Sequence, residues 1–161
     1  MRLRPARAGD AEALAALWHD GWHAAHAATM PPALVAMRTR DAFAARTSGL
    51  LEGAVVAEDA GLAGFCAVRE NEVYQLYVSP AAQGTGAAAA LLAEGEARIA
   101  RAGFASAWLL CAEGNARARR FYERQSWRSA GAEEADLDGA PGGPPFRTRV
   151  LRFGKRPLSG G

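Results

Sequence analysis

The chain has 161 residues, half of them apolar, with 19 basic and 17 acidic side chains for a formal charge of +2. That length supports one domain whose core needs no metal or disulfide staple, and so small a charge gives no argument for nucleic acid. No apolar run reaches the roughly 18 residues of a membrane span, and the basic start MRLRPARAGD lacks the apolar stretch of a secretion signal. Alanine supplies about a quarter of the chain, so the core must rest on Leu, Val, Phe and Trp. Cys66 and Cys111 both lie in apolar runs and read as buried free thiols, which fits a reducing, cytoplasmic compartment.

In chain order, residues 2–6 alternate and suit a first strand. Asp10 reads as the cap of a helix carrying Leu14, Leu17, Trp18 and Gly21 at helical spacing. Pro31 and Pro32 end that helix, and a second is expected from about Ala33 to Arg46. Residues 53–59 and 62–70 read as strands joined at Ala60-Gly61, and Glu72–Val78 as a third, stopped by Ser79-Pro80. A long helix from about Thr85 to Ala102 puts Ala88, Leu91, Leu92, Gly95 and Ile99 on one face, where Gly95 would let it sit close to a sheet. A strand over 105–112, a helix over 115–125 and closing strands over 127–130 and 146–153 complete the order. GAPGGPP (139–145) reads as a surface loop and KRPLSGG (155–161) as a frayed tail, so residues 1–154 form the expected domain. Sequential strands favour an antiparallel meander and the strand–helix–strand units from Glu72 onward favour parallel pairing, so the sheet should be mixed.

The stretch Gln83-Gly84-Thr85-Gly86 sits between a strand and a helix. A helix beginning there leaves its first amides without intrahelical partners and carries roughly half a positive charge from its dipole. The glycines serve either a tight turn or the close approach of a phosphate to those amides. A dinucleotide turn lacks its three-glycine pattern here, and no Gly-Lys-Ser/Thr follows to make a nucleotide-triphosphate loop. A second constellation follows the next strand: Asn115 at a helix start, Arg119 and Arg120 beyond it, and Tyr122 two turns further on.

The pattern QxxGxA at 83–88 with N…RRFYER at 115–124 resembles the GCN5-related N-acetyltransferase (GNAT) superfamily, the specific part running from Glu72 to Trp127. The resemblance implies an α+β fold: a mostly antiparallel six- to seven-stranded sheet with helices on both faces and a splayed parallel strand pair. It implies acetyl-CoA as cosubstrate, without a metal. The pyrophosphate would lie on Gln83, Gly84, Thr85, Gly86, Ala87 and Ala88, mostly through backbone amides. The pantetheine arm would pair like a strand with Leu76, Tyr77 and Val78, and a bulge in that strand would aim an amide at the acetyl oxygen. Asn115 matches the family asparagine that contacts the cofactor arm, and Arg119 or Arg120 could meet the 3′-phosphate. Tyr122 matches the general acid near the sulfur, and Glu72 the strand position of a carboxylate base. The chain departs from the pattern at Gln125-Ser126-Trp127, where a glycine usually precedes the aromatic.

The acceptor amine would lie opposite the thioester, between the first helices and the 136–146 loop. There Trp22 and His26 are the expected substrate contacts, and His26 is also an alternative base. His19, His23 and His26 share a helix face; a metal site is conceivable there, but the spacing reads rather as three exposed or cleft-lining side chains. The function expected is direct acetyl transfer to a small-molecule or peptide amine in a ternary complex, with no nucleic acid or membrane partner and a homodimer possible. A non-catalytic acyl-CoA-binding module on the same fold is the competing reading.

Overall fold

The computed structural model describes residues 1–137, 143–156 and 158. Most of the expected GAPGGPP loop and of the C-terminal tail lies outside them. The described chain runs β1 (Arg2–Pro5), α1 (Ala11–His26), α2 (Pro32–Met37), α3 (Arg40–Thr47), β2 (Ala54–Glu58), β3 (Leu62–Arg69), β4 (Glu72–Val78), α4 (Ala87–Arg101), β5 (Ala107–Ala112), α5 (Ala116–Arg124), β6 (Arg128–Leu137) and β7 (Phe146–Lys155). The strands form one sheet in the order β1-β2-β3-β4-β5-β7-β6. Its pairs are antiparallel except β4 with β5. The α+β class, the mixed sheet and its parallel pair match the expectation.

Period-two alternation divides the core between the two faces of this sheet. Val55 and Ala57 of β2 point toward α4, joining Leu91, Leu92 and Ile99 with Leu109, Trp127 and Phe153. Ala54 and Val56 point the other way, toward Leu14, Trp18 and Trp22 of α1, Leu34 of α2 and Phe43 of α3. One glycine on each covering helix sets its distance from the sheet. A Cβ on Gly95 would come within 2.8 Å of the Cys66 sulfur, and one on Gly21 within 2.6 Å of the Tyr77 ring. Replacing either would overpack a filled core.

Several expectations need correction. The single helix over 33–46 is two, because Thr39 takes an extended backbone and its hydroxyl accepts from the Ala42 amide, starting α3 afresh. Asp10 does not cap α1 with its side chain. It turns back to accept from the Arg7 amide at 2.9 Å and to hold Arg4 through both oxygens at 2.8 and 2.9 Å, contacts that draw its carboxyl down to about 2. The strand expected over 127–130 extends to Leu137, since β6 forms the sheet edge and its mostly exposed residues carry no apolar alternation to announce it. At Gln125-Ser126, the missing glycine is replaced by Ser126 itself in a left-handed conformation (φ 69°), so the turn survives with an L residue in a region that favours glycine.

Candidate active site in the gap between two strands

β4 and β5 are paired at one position only, Glu72 opposite Trp108. Asn71 clamps that end: its carbonyl accepts from the Trp108 amide at 3.0 Å, its side-chain oxygen accepts from the Trp108 indole at 3.3 Å, and its amide group donates to the Ser106 carbonyl at 3.3 Å. Beyond the clamp each strand follows a different neighbour. Leu76, Tyr77 and Val78 stay in register with Cys66, Phe65 and Gly64, while Leu110 and Cys111 go with Arg152 and Leu151. The parting opens a cleft of about 320 Å3 and, among the described residues, leaves the edge of β4 beyond Glu72 without a strand neighbour. β4 also carries the expected irregularity. Its register with β3 shifts from Ala67–Gln75 to Val68–Val73, so Tyr74 is the extra residue of a bulge at the cleft wall.

Gln83–Ala88 forms the turn after β4. Gly84 (φ 77°) and Gly86 (φ 87°) are both left-handed, which accounts for glycine at each. A Cβ at either would meet nothing within 4 Å, so the space before the turn is also open. The tight left-handed turn and the open space in front of it are therefore both present. The Gly86 conformation delays α4 to Ala87, two residues later than expected. Among the described residues, the amides of Gly84, Gly86, Ala88 and Ala89 have no acceptor; the Ala87 amide has only the Thr85 hydroxyl at 3.4 Å. This row of donors at the positive end of a 15-residue helix suits a phosphate group.

α5 forms the opposite lip. Asn115 caps it, its side-chain oxygen accepting from the Ala118 amide at 3.2 Å, and it lines the cleft from that position. Tyr122 lines the cleft with its ring against Phe121, Trp127 and Phe153 at 5.3, 6.4 and 5.8 Å. Burial pushes its phenol well above the usual range, so it stays protonated and can act as an acid rather than a base. The Cys111 thiol in the same cleft is pushed up to about 11 by burial and is equally protonated. Arg119 is exposed, and its side chain has no hydrogen-bond partner among the described residues. The arginine that reaches the glycine turn is Arg117, which donates to the Gln83 side-chain oxygen at 3.0 Å. Sequence reasoning passed over Arg117; its place two residues from Arg119, on the other side of a helix, was the available signal.

Glu72 sits at the closed end of the cleft, its side chain 14% exposed and 3.5 Å from the Arg69 guanidinium. Trp22 and His26 line the far side from α1. Trp22 is largely covered, by Arg38 (5.7 Å from the ring centre), Phe43 and the His26 ring. His26 Nε2 faces the Tyr77 hydroxyl at 3.4 Å, while its buried Nδ1 has no partner among the described residues. Desolvation draws this imidazole down to about 4, so it is neutral at neutral pH and a weak base. The three histidines of α1 go separate ways: His19 to Asp20, His23 to the Arg38 carbonyl, His26 to Tyr77. No cluster of three or more His, Cys, Asp or Glu placed to hold a metal occurs among the described residues.

A model described as the Acetyltransferase (GNAT) family matches residues 12–127. Solved structures share the fold. A GCN5-related N-acetyltransferase (aminotransferase, class-II) from Rhodopseudomonas palustris is 20% identical with a TM-score of 0.75, over 96% of this chain and 94% of that one. Apo YjaB from Escherichia coli is 18% identical with a TM-score of 0.73, over 99% and 98%. The PaiA N-acetyltransferase of Thermoplasma acidophilum, solved in complex with coenzyme A, is 19% identical with a TM-score of 0.67, over 96% and 98%. No curated protein matches the chain.

Proposed function

The chain belongs to the GNAT family of acetyltransferases, and from that premise we propose that it moves an acetyl group from acetyl-CoA directly to an amine in a ternary complex. The observation that carries this reading is the parting of β4 and β5 with an open row of amides at its mouth. Acetyl-CoA supplies a thioester, activated toward nitrogen attack. The donors of Gly84, Gly86, Ala87 and Ala88, with Gln83 and Thr85 shaping the turn, would hold the pyrophosphate. The free edge of Leu76, Tyr77 and Val78 would take the pantetheine arm as an added strand. Asn115 would border that arm from α5, and Arg119 would meet the 3′-phosphate.

Protons move at two places. An acceptor ammonium has no lone pair, and Glu72 at the closed end would take its proton, directly or through a water. The nitrogen then forms a bond to the acetyl carbon as the carbon–sulfur bond breaks, Tyr122 donates its proton to the departing sulfur, and the second proton lost by the acylated nitrogen restores the phenol. Tyr122 is a reluctant acid, but the cleft that raises it also raises the Cys111 thiol to about 11, so a thiolate formed there is correspondingly more basic. The same burial denies Cys111 the thiolate that a covalent acetyl-enzyme needs. The acceptor would enter past Trp22 and His26.

Thiol release from acetyl-CoA with a panel of amines tests the proposal. Tyr122→Phe should lower kcat about 100-fold with coenzyme affinity unchanged, the usual scale for one proton transfer. Glu72→Gln should lower it at neutral pH, and Cys111→Ala should leave it unchanged. Full rate in both Tyr122→Phe and Glu72→Gln would remove the acid–base assignment. Coenzyme binding with no turnover of any amine would favour a binding module instead.

A further inference from the structure

The glycine turn has a charge problem. A diphosphate bridge carries two negative charges, and a helix end offers roughly half a positive one. From Glu70 to Ala97 the chain has no lysine or arginine, so neither the turn nor the first two turns of α4 can supply the balance. Position 83, which leads the turn, is a neutral glutamine. The cation arrives from another element: Arg117, on the first turn of α5, donates to Gln83 Oε1 at 3.0 Å.

We propose that Arg117 is a ligand of the coenzyme's diphosphate, held at the turn in the free protein by Gln83; the inference rests on the coenzyme reading above. An exposed guanidinium bonded to a neutral amide gains little. A phosphate oxygen accepts the same N–H as a charge-assisted bond, roughly twice as strong, and suits the planar fork of arginine. The exchange needs no large movement, because the turn's free amides lie beside Gln83. Arg119 faces about 200° around the helix from Arg117 and cannot substitute for it.

Binding of CoA and of 3′-dephospho-CoA, measured by calorimetry on the full chain, tests this. Arg117→Ala should weaken both ligands by the same factor, roughly tenfold or more, the scale of one charge-assisted bond. Arg119→Ala should not weaken 3′-dephospho-CoA. Because Arg117 is exposed, the variant should keep the wild-type melting temperature. A loss confined to CoA would move Arg117 to the 3′-phosphate and overturn the proposal, as would no loss at all. If the wild-type chain binds neither ligand, the coenzyme reading fails and this inference fails with it; wild-type binding that Arg117→Ala leaves intact would sink the inference alone.

Discussion

The two faces of the sheet bury polar groups in opposite ways. Beneath α4, the chain encloses a full ion pair: Glu96, 3% exposed, meets Lys155 at 2.8 Å and accepts from the Trp127 indole at 3.3 Å, while Lys155 also donates to the Gln125 carbonyl at 3.0 Å. Beneath α1, His26 against Tyr77 is enclosed and neutral, and the cations there lie over rings, Arg46 at 4.6 Å from the Trp18 centre and the buried Arg38 beside Trp22. The first face ties α4 to the end of β7 and the start of β6, and so fixes the wall that carries Tyr122. The second keeps a hydrogen-bonding group uncharged where the acceptor is expected.

Removing one partner of the ion pair should give the largest effect. Lys155→Met takes the Lys155 ammonium from the enclosed Glu96 carboxylate and should cost about 3–5 kcal/mol in urea unfolding. A cost below 1 kcal/mol would erase the contrast between the faces. His26 gives the next effect, through pH. Its folded value near 4 lies below the ordinary 6.5, so the unfolded chain takes up a proton first. Stability due to this group is therefore complete above pH 6.5, falls as pH drops, and levels off near pH 4, a loss of up to about 3 kcal/mol. His26→Gln should flatten that part of the curve, measured by unfolding at a series of pH values. The smallest effect concerns the turn between α5 and β6. Ser126→Gly should relieve the left-handed strain and raise stability by about 1 kcal/mol, seen as a higher melting temperature. Unchanged stability would mean that Ser126 is not strained.

The glycine-turn side of the cleft was legible in the sequence, and the α1 side much less so. Glu72–Val78 is bounded by breakers and matches β4 residue for residue, and Gly84 and Gly86 announced a conformation that only glycine adopts easily. Such features belong to the backbone, and composition reports the backbone well. The split of the second helix at Arg38-Thr39 was hidden because no glycine or proline marks it, although Thr39 was readable as a cap. β6 was cut short because an edge strand exposed on most of its length has no buried face to impose a pattern. The Arg117–Gln83 contact joins residues 34 apart in the chain, and nothing local to either marks it. The pairing of His26 with Tyr77, and the unpartnered Nδ1 it leaves, likewise depend on how α1 lies across the sheet.

The open amides at the start of α4 have a consequence of their own. A main-chain N–H neither ionises across the physiological range nor has a rotamer to freeze. Whatever anion rests there meets donors that are as ready in acid as in alkali, and seating it sacrifices no side-chain mobility. The amides themselves therefore add no sensitivity to acidity at the step of capture.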